Sequence, residues 1–282
     1  MIIIKHPSDL QNFVRSEKSK EQVIGFAPTM GALHEGHLQL VKTAAERSSV
    51  TICSIFVNPT QFNDPEDFRK YPQRLERDIY LLNKTSADIL FIPSVNDIYP
   101  SGTEKLERFE LGYLDSILEA RFRPGHFQGV CQVMSRLLRL VNPDLLFMGS
   151  KDYQQCMVIK KLIADLGLPI SLIACPTVRE ADGLAMSSRN LRLSAEERKI
   201  APEIYKTLQY IRDEIKAGSL GALALRAKQR LEQKHFRVDY IAFADRDSLQ
   251  LAEEWDGAQP LVALVAAFLN EVRLIDNLAV NA

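Results

Sequence analysis

Residues 22–48 read QVIGFAPTMGALHEGHLQLVKTAAERS, and this stretch decides the fold. Its first six residues are mostly apolar and predict a β-strand, which leads directly into the loop Pro28–Gly31. From about His37 onward, apolar residues recur at helical spacing (Leu38, Val41, Ala44, Ala45). A strand, a loop and a helix in this order begin an alternating α/β pattern.

The same alternation continues to about residue 176. Short apolar runs predict strands, and the amphipathic stretches between them predict helices. The predicted strands are Val50–Val57, Asp88–Ile92, Leu145–Met148 and Ile170–Ala174, and the predicted helices are Tyr71–Asn83, His126–Val141 and residues 152–166. This pattern is typical of an α/β fold with a parallel sheet and helices on both faces.

The pattern changes after about residue 177. A long helix is predicted at Ala195–Lys216 and a second at about 222–233, followed by three strands at Val238–Ala244, Pro260–Phe268 and Glu271–Asp276. Helices followed by consecutive strands indicate a smaller α+β domain with an antiparallel sheet. We therefore predict two domains, 1–176 and 177–282, with the boundary near Pro176.

The bulk composition excludes several classes of partner. Thirty-five basic and 36 acidic residues give a net charge of −1, so no general field attracts nucleic acid or an anionic membrane. The longest apolar run, Leu261–Leu269, is too short to span a bilayer as a helix. The cysteines lack CxxC spacing (Cys53, Cys131, Cys156, Cys175), which favours reduced thiols and a cytoplasmic location.

The loop after the first strand is the first candidate for chemistry. It contains His34 and His37, which share one face at the start of the predicted helix, and Gly36 between them lets a ligand approach the backbone. A helix N-terminus binds phosphate, and imidazoles can stabilise charge on an attacked phosphate. A capped helix with two surface histidines is the alternative. A metal site is disfavoured because no third ligand has an evident spacing.

The second candidate is the segment Met186-Ser187-Ser188-Arg189-Asn190. Two hydroxyls and a guanidinium can bind and neutralise a triphosphate. If the segment stood alone, a solvated turn would be the better explanation. Together, HxGH and this KMSKS-like segment are the signature of nucleotidylyltransferases and class I aminoacyl-tRNA synthetases, which attack the α-phosphate of a nucleoside triphosphate.

Three further motifs follow predicted strands or open a helix. In Gly149-Ser150-Lys151-Asp152, the lysine could contact phosphate and the aspartate could accept hydrogen bonds from a ribose. Gln61, in FVNPTQF, and Gln155 are uncharged groups that could orient a hydroxy acid. RPGHF at residues 123–127 opens the long buried helix. The alternatives are an N-capped helix for the first motif, a turn at Asn58-Pro59 for the second and a plain helix start for the third.

These motifs together resemble the pantothenate synthetase (pantoate–β-alanine ligase) family. PTMGALHEGH, FVNPTQF, RPGHFQGV, GSKDYQQ and DGLAMSSRN occur in that family's order and approximate spacing, and LVALVAAFLNEVRLIDN is similar to its C-terminal strand pair. The resemblance implies a Rossmann-like N-terminal domain, a C-terminal lid domain and a homodimer. It also implies that pantoate and ATP form pantoyl adenylate, from which β-alanine displaces AMP.

The resemblance also implies roles for individual residues. Catalysis would involve His34, His37, Lys151 and Arg189, with His37 the candidate proton donor, and Gln61 and Gln155 would hold pantoate, Gln61 also facing β-alanine. ATP would be bound by Met30, Gly31, Ala32, Leu33, His34, Glu35, Gly36, His37, Gly149, Ser150, Lys151, Asp152, Val178, Met186, Ser187, Ser188 and Arg189. Mg²⁺ would be coordinated by the ATP phosphates, and we name no protein ligand for it. Ser150 departs from the glutamate that the family often has there.

Two other functions compete with the ligase. A nucleotidylyltransferase of the same superfamily would need more basic residues for a second phosphorylated substrate. A non-catalytic nucleotide-binding regulator would not need the histidines, the lysine and the SSR segment. An aminoacyl-tRNA synthetase is disfavoured by the neutral charge and the lack of an anticodon-binding domain. We expect small-molecule substrates and neither nucleic acid nor membrane as a partner.

Overall fold

A computed structural model describes residues 1–281, which form two compact units. The first unit contains Met1–Ser150 and Val158–Pro176, and the second contains Lys151–Met157 and the chain from Thr177 onward. The short segment Lys151–Met157 therefore packs with the second unit, although its place in the sequence pattern assigns it to the first predicted domain.

The first unit is built on a six-stranded sheet in which every pairing is parallel. Its strands are β1 (Ile2–Ile4), β2 (Ile24–Thr29), β3 (Val50–Ile55), β4 (Ile89–Phe91), β5 (Leu145–Gly149) and β6 (Ser171–Cys175). They lie in the order β1-β4-β3-β2-β5-β6, which confirms the predicted parallel sheet. Strand β2 has β3, the next strand in sequence, on one side and β5 on the other. The switch point, where ligands bind in such sheets, thus lies at the carboxyl ends of β2 and β5.

Helices connect these strands. They are α1 (Pro7–Lys18), α2 (Glu35–Arg47), α3 (Pro65–Arg69), α4 (Leu75–Leu82), α5 (Val95–Ile98), α6 (Leu118–Phe122), α7 (His126–Val141) and α8 (Tyr153–Asp165). The apolar face predicted for α7 is buried, with Phe127, Val130, Leu137 and Leu138 at most 3% exposed. Strand β1 and helix α1 were not predicted, and the helix predicted from Tyr71 begins at Leu75 instead.

The second unit combines helices with antiparallel strands, as predicted. Helices α9 (Ala195–Ile200), α10 (Glu203–Glu214) and α11 (Gly221–Glu232) accompany strands β7 (Gly218–Ser219), β8 (Phe236–Asp245), β9 (Glu254–Trp255), β10 (Leu261–Leu269) and β11 (Val272–Ala279). The main sheet has the order β11-β10-β8, and both of its pairings are antiparallel. None of the helices formed by residues 1–281 is long and apolar enough to cross a membrane.

The single helix predicted at Ala195–Lys216 is wrong. The structure divides it into α9, which ends at Ile200, and α10, which begins at Glu203. Pro202 lies at the break and explains it, because proline has no backbone N–H to donate and its ring clashes with the preceding helical turn. The apolar spacing continues across the break, and both helices pack against the same core of the second unit (Ala201, Ile204, Leu208, Ile211).

All four cysteines are free thiols and are buried. Burial raises the pKa of Cys53 and of Cys131 to about 12, so both remain protonated at neutral pH. A thiol needs its thiolate form to react with oxidants or to bind a metal. These two side chains therefore act as small core residues.

Candidate active site

The loop between β2 and α2 has an unusual backbone conformation. Gly31 and Ala32 both adopt positive φ, at 77° and 48°. This left-handed region suits glycine but costs energy for alanine. The two residues turn the backbone N–H groups of Ala32 and Leu33 toward a single acceptor, the carboxylate of Asp78 on α4.

The carboxylate of Asp78 binds the backbone of this loop. Its Oδ2 accepts the Ala32 N–H and its Oδ1 accepts the Leu33 N–H, each at 2.8 Å, and the residue is 1% exposed. Burial raises the pKa of Asp78, while the two backbone N–H bonds and the charges of Arg77 and Arg74 act in the opposite direction. Hydrogen bonds from N–H groups to a carboxylate are among the stronger ones in proteins. The carboxylate therefore stabilises a backbone conformation that alanine alone disfavours.

The two histidines of the loop lie side by side at the start of α2. Their ring centroids are 4.0 Å apart, and the His34 backbone N–H donates to Nδ1 of His37 at 3.4 Å. Because Nδ1 of His37 accepts this bond, the proton of a neutral His37 ring is carried by Nε2. The structure thus confirms that the histidines share one face. It also provides His37 with a defined donor nitrogen.

Gln61 lies in a short 3₁₀ turn, Pro59–Gln61, that follows β3. The Nε2 of Gln61 donates to Sδ of Met30 at 3.1 Å, and its Oε1 accepts from Nδ2 of Asn58, also at 3.1 Å. Asn58 is itself buried, and its Oδ1 accepts from the Tyr99 hydroxyl at 2.7 Å. The first unit therefore brings together Gln61 and the loop that carries Met30, His34 and His37, which are more than 20 residues away in sequence.

Helix α7 supports this turn from the other side. The buried ring of His126 lies with Nε2 at 3.0 Å from a guanidinium nitrogen of Arg123 and with Nδ1 at 2.8 Å from the Gln61 carbonyl oxygen. A guanidinium can only donate, so Nε2 must accept and Nδ1–H must donate to Gln61. The RPGHF motif thus contributes a histidine that fixes the backbone of Gln61.

Gly129 allows α7 to approach the turn closely. A Cβ atom at this position would lie 2.2 Å from the Thr60 carbonyl oxygen and 2.6 Å from Cα of Gln61. Both are backbone atoms, which cannot move aside as a flexible side chain does. The glycine in RPGHFQGV is therefore required by the contact between the helix and the turn.

We expect Gly129→Ala to lower the free energy of unfolding by about 1–3 kcal/mol, because overpacking forces the backbone to shift. Urea unfolding of the purified protein measures this change. Gly221→Ala is the matched control, since the nearest atom to its added Cβ is a serine oxygen at 3.9 Å. Equal free energies of unfolding for Gly129→Ala and the parent would show that the turn can move aside without loss of stability.

The remaining motifs end β5 or lie in the second unit. Gly149 ends β5, next to β2 in the sheet, and Ser150, Lys151 and Asp152 form the 3₁₀ turn that follows. The Lys151 carbonyl oxygen accepts from Nδ2 of Asn277 at 2.9 Å. Gln155 lies in the first turn of α8. Lys151, Asp152 and Gln155 belong to the second unit.

The SSR segment ends a hairpin of the second unit. Met186 donates its N–H to the Val178 carbonyl at 3.0 Å, and Arg179 pairs with Ala185 in an isolated antiparallel bridge. Ser187 then caps a 3₁₀ helix, Ser188–Arg192, by accepting the Arg189 N–H at 3.3 Å. Val178 and Met186–Arg189, which are far from Lys151 in sequence, thus lie with it in the same unit.

No group of three His, Cys, Asp or Glu side chains within residues 1–281 is arranged to hold a metal ion. The candidate loop of the first unit offers imidazole nitrogens, and the candidate segments of the second unit offer an ammonium group, a guanidinium and hydroxyls. These suit anionic phosphate oxygens rather than a bare cation.

Comparisons with known proteins identify the family of the chain. The sequence model of the pantoate-beta-alanine ligase family matches residues 2–279. A pantothenate synthetase from Cytophaga hutchinsonii is 43% identical over 283 aligned positions, which cover 99% of each chain.

Solved structures give the same result. Pantothenate synthetase from Thermus thermophilus matches with a TM-score of 0.92 and 40% identity, covering all of both chains. Pantoate-beta-alanine ligase from Francisella tularensis, complexed with beta-gamma ATP and beta-alanine, matches with a TM-score of 0.84 and 37% identity, covering 100% of this chain and 98% of that one. By its sequence over nearly its whole length and by its fold, the chain belongs to the pantoate–β-alanine ligase family.

Proposed function

We propose that the chain condenses pantoate with β-alanine in an ATP-dependent reaction that releases AMP and pyrophosphate. The observation that carries the proposal is the pairing of His34 and His37 at the N-terminus of α2, beside the turn that bears Gln61. This pairing supports the proposal because two imidazoles that could donate to phosphate belong to the same unit as an amide that could bind a hydroxy acid. The family relationship and the relative crystallised with ATP and beta-alanine support the same reaction.

The proposed reaction has two steps. A carboxylate oxygen of pantoate attacks the α-phosphorus of ATP, and the bond to the bridging oxygen breaks as pyrophosphate leaves. The amine of β-alanine then attacks the acyl carbon, AMP leaves with the electron pair of the C–O bond, and the amine loses a proton. Adenylation is needed because a free carboxylate has no adequate leaving group for attack by an amine.

We assign the phosphate-binding roles to residues of both units. The loop residues Met30 to His37 bind ATP, with Nε2 of His37 donating to a phosphate oxygen as negative charge develops. Lys151 and Arg189 supply positive charge at the triphosphate, and Gly149, Ser150, Asp152, Val178, Met186, Ser187 and Ser188 contact the nucleotide. Mg²⁺ enters with the ATP phosphates, since it prefers phosphate oxygens and water.

We assign substrate recognition to Gln61 and Gln155. Their amides can donate to and accept from a hydroxy acid without competing with its carboxylate for a cation. Gln61 also faces β-alanine. In this proposal the first domain, 1–176, binds nucleotide and pantoate, and the second acts as a lid. The protein works as a homodimer in the cytoplasm.

A reconstituted assay tests the function. The purified protein is incubated with ATP, Mg²⁺, pantoate and β-alanine, and AMP and pyrophosphate are measured. AMP release that requires both organic substrates supports the ligase, and pyrophosphate with pantoate alone reveals the adenylation step. Nucleotide transfer to a phosphorylated substrate, or binding of ATP without turnover, would replace the ligase with one of the two competing functions.

We expect Gln61→Ala to raise the KM for pantoate about tenfold or more, because a hydrogen bond in a buried site is worth about 1.5 kcal/mol. Steady-state kinetics at saturating ATP measures this effect. Gln39→Ala, an exposed glutamine on α2, is the matched control. An unchanged KM in Gln61→Ala would remove this residue from the pantoate pocket.

A further inference from the structure

The second unit contains a buried ion pair between Arg179 and Asp276. The two side chains bond through two parallel contacts, from NH1 to Oδ2 at 2.6 Å and from NH2 to Oδ1 at 3.0 Å. The Asp276 side chain is 0% exposed and that of Arg179 is 17% exposed. Removing two charges from water is costly, so a buried pair adds little net stability compared with apolar residues. The presence of the pair calls for another explanation.

On the arginine side, the pair reaches the hairpin that carries the SSR segment. Arg179 lies in the first arm of this hairpin, and its NH1 also donates to the Gly183 carbonyl at 3.1 Å, closing the tip. The guanidinium stacks on the Tyr205 ring at 3.8 Å. Gly183 has a φ of 92°, and a Cβ there would meet the same ring at 2.4 Å. The arginine therefore fixes the hairpin against α10.

On the aspartate side, the pair reaches Lys151. Asp276 lies in β11, and its Oδ1 accepts the N–H of Asn277 at 2.8 Å. Asn277 in turn donates from Nδ2 to the Lys151 carbonyl at 2.9 Å. Burial raises the pKa of Asp276, while its bonds to Arg179 and the charge of Lys151 lower it.

We infer that Arg179 and Asp276 are positioning residues that fix Lys151 relative to Ser187 and Arg189, so that the lysine and the SSR segment meet one triphosphate. The inference rests on the proposed function. The contacts run from the Lys151 carbonyl through Asn277, Asp276 and Arg179 to the Gly183 carbonyl, and all of these residues belong to the second unit. These bonds tie the backbone at Lys151 and the tip of the hairpin to the same buried ion pair.

The same sheet offers a matched control. Asp239 of β8 accepts from Nε of Arg273 at 2.8 Å, and this pair is also largely buried, at 5% and 15% exposure. It joins two strands, with Arg237 of β8 as a further cation at 3.4 Å from Asp239. Asp239→Asn therefore removes a similar charge from the same unit without altering the contacts between Lys151 and the hairpin.

The test compares Asp276→Asn with Asp239→Asn in the full-length protein. We expect Asp276→Asn to lower kcat about tenfold and to raise the KM for ATP, since small misplacements of binding groups have effects of this size or larger. The KM for pantoate should rise less than the KM for ATP, because Gln61, one of the two amides assigned to pantoate, lies in the other unit. Asp239→Asn should retain the parent kcat and both KM values. Equal losses in the two variants, or parent kinetics in Asp276→Asn, would overturn the inference.

A double-mutant cycle with Lys151→Ala separates positioning from general damage. If Asp276 acts through Lys151, then Asp276→Asn should add little further loss of kcat once the lysine side chain is absent. Full additivity of the two effects would overturn the inference. Should Asp276→Asn fail to fold, Asn277→Ala takes its place, because it removes the bond from the Asn277 side chain to the Lys151 carbonyl. It should lower kcat/KM for ATP about threefold to tenfold, and parent values would count against the inference.

Calorimetric titration with ATP and Mg²⁺ distinguishes failure of the inference from failure of the proposed function. We expect Asp276→Asn to weaken ATP binding about tenfold relative to Asp239→Asn, whether or not the parent protein forms pantothenate. Turnover by the parent with equal ATP affinity in both variants would reject the positioning role alone. Absence of turnover with the expected difference in affinity would reject the ligase assignment alone.

Discussion

Replacing Lys151 or His37 by alanine should lower kcat roughly 10²-fold or more, the usual range for loss of a general acid or of a donor to developing negative charge. The charge on the α-phosphate grows as pantoate attacks, so an ammonium or imidazole donor contributes more in the transition state than in the ground state. The KM for ATP should change less than kcat. Steady-state release of AMP measures both quantities.

The controls for these variants are Lys160→Ala, an exposed lysine on α8, and His6→Ala, an exposed histidine before α1. Pyrophosphate release with pantoate alone locates the defect, because both variants should lose the adenylation step. Turnover near the parent value in both Lys151→Ala and His37→Ala would contradict the assigned site. A defect confined to the second step would place these side chains at the amine rather than at the phosphate.

Replacing Asp78 should have the second largest effect, although its side chain bonds to backbone and not to a proposed substrate. In Asp78→Asn one carboxylate oxygen becomes an NH₂ group, which cannot accept the N–H of Ala32 or Leu33. The loop then loses a charge-assisted bond, worth about 1.5–3 kcal/mol, that offsets the left-handed conformation of Ala32. We expect kcat to fall about tenfold to 10²-fold, since His34 and His37 follow directly.

Two measurements separate this effect from loss of stability. The dissociation constant for ATP should rise in Asp78→Asn, while that for pantoate should stay close to the parent value. Asp144→Asn is the matched control, because the Asp144 carboxylate also accepts a backbone N–H, that of Ile24 at 2.8 Å, but at the opposite end of β2. If the two variants lost activity equally, Asp78 would have only a structural role.

The alternation of strands and helices was predictable because each element shows its period in the sequence. Strands β2 to β6 of the parallel sheet and strands β8, β10 and β11 of the second unit were predicted from apolar runs and are confirmed, whereas the two-residue strands β7 and β9 were not predicted. Strand β1 has only three residues, and a run that short does not distinguish a strand from a solvated terminus. The break at Pro202 was missed because the apolar spacing continues through it, although proline itself is the signal.

The residues proposed for the candidate site come from motifs whose side chains suit phosphate binding. HxGH, GSKD and SSR each combine phosphate donors with a strand end or a loop. Asp78 carries no such signal, since RLERDIYLL shows an ordinary charged helix and only the tertiary fold buries the carboxylate. Arg179 and Asp276 are 97 residues apart in sequence, and no local pattern indicates that they pair. The sequence shows Gly129 as a glycine inside a predicted helix. It does not show that the turn at Thr60 and Gln61 packs against this glycine.

The position of β1 has a consequence for synthesis. Residues 2–4 pair with residues 89–91, so the ribosome must add about ninety residues before the partner strand exists. At roughly 5–20 residues per second this delay is on the order of ten seconds. During that time Ile2 and Ile3 remain without the strand that they pair with in the folded protein. Strand β1, at the edge of the sheet, is therefore synthesised well before β4 and can pair only after β4 has been made.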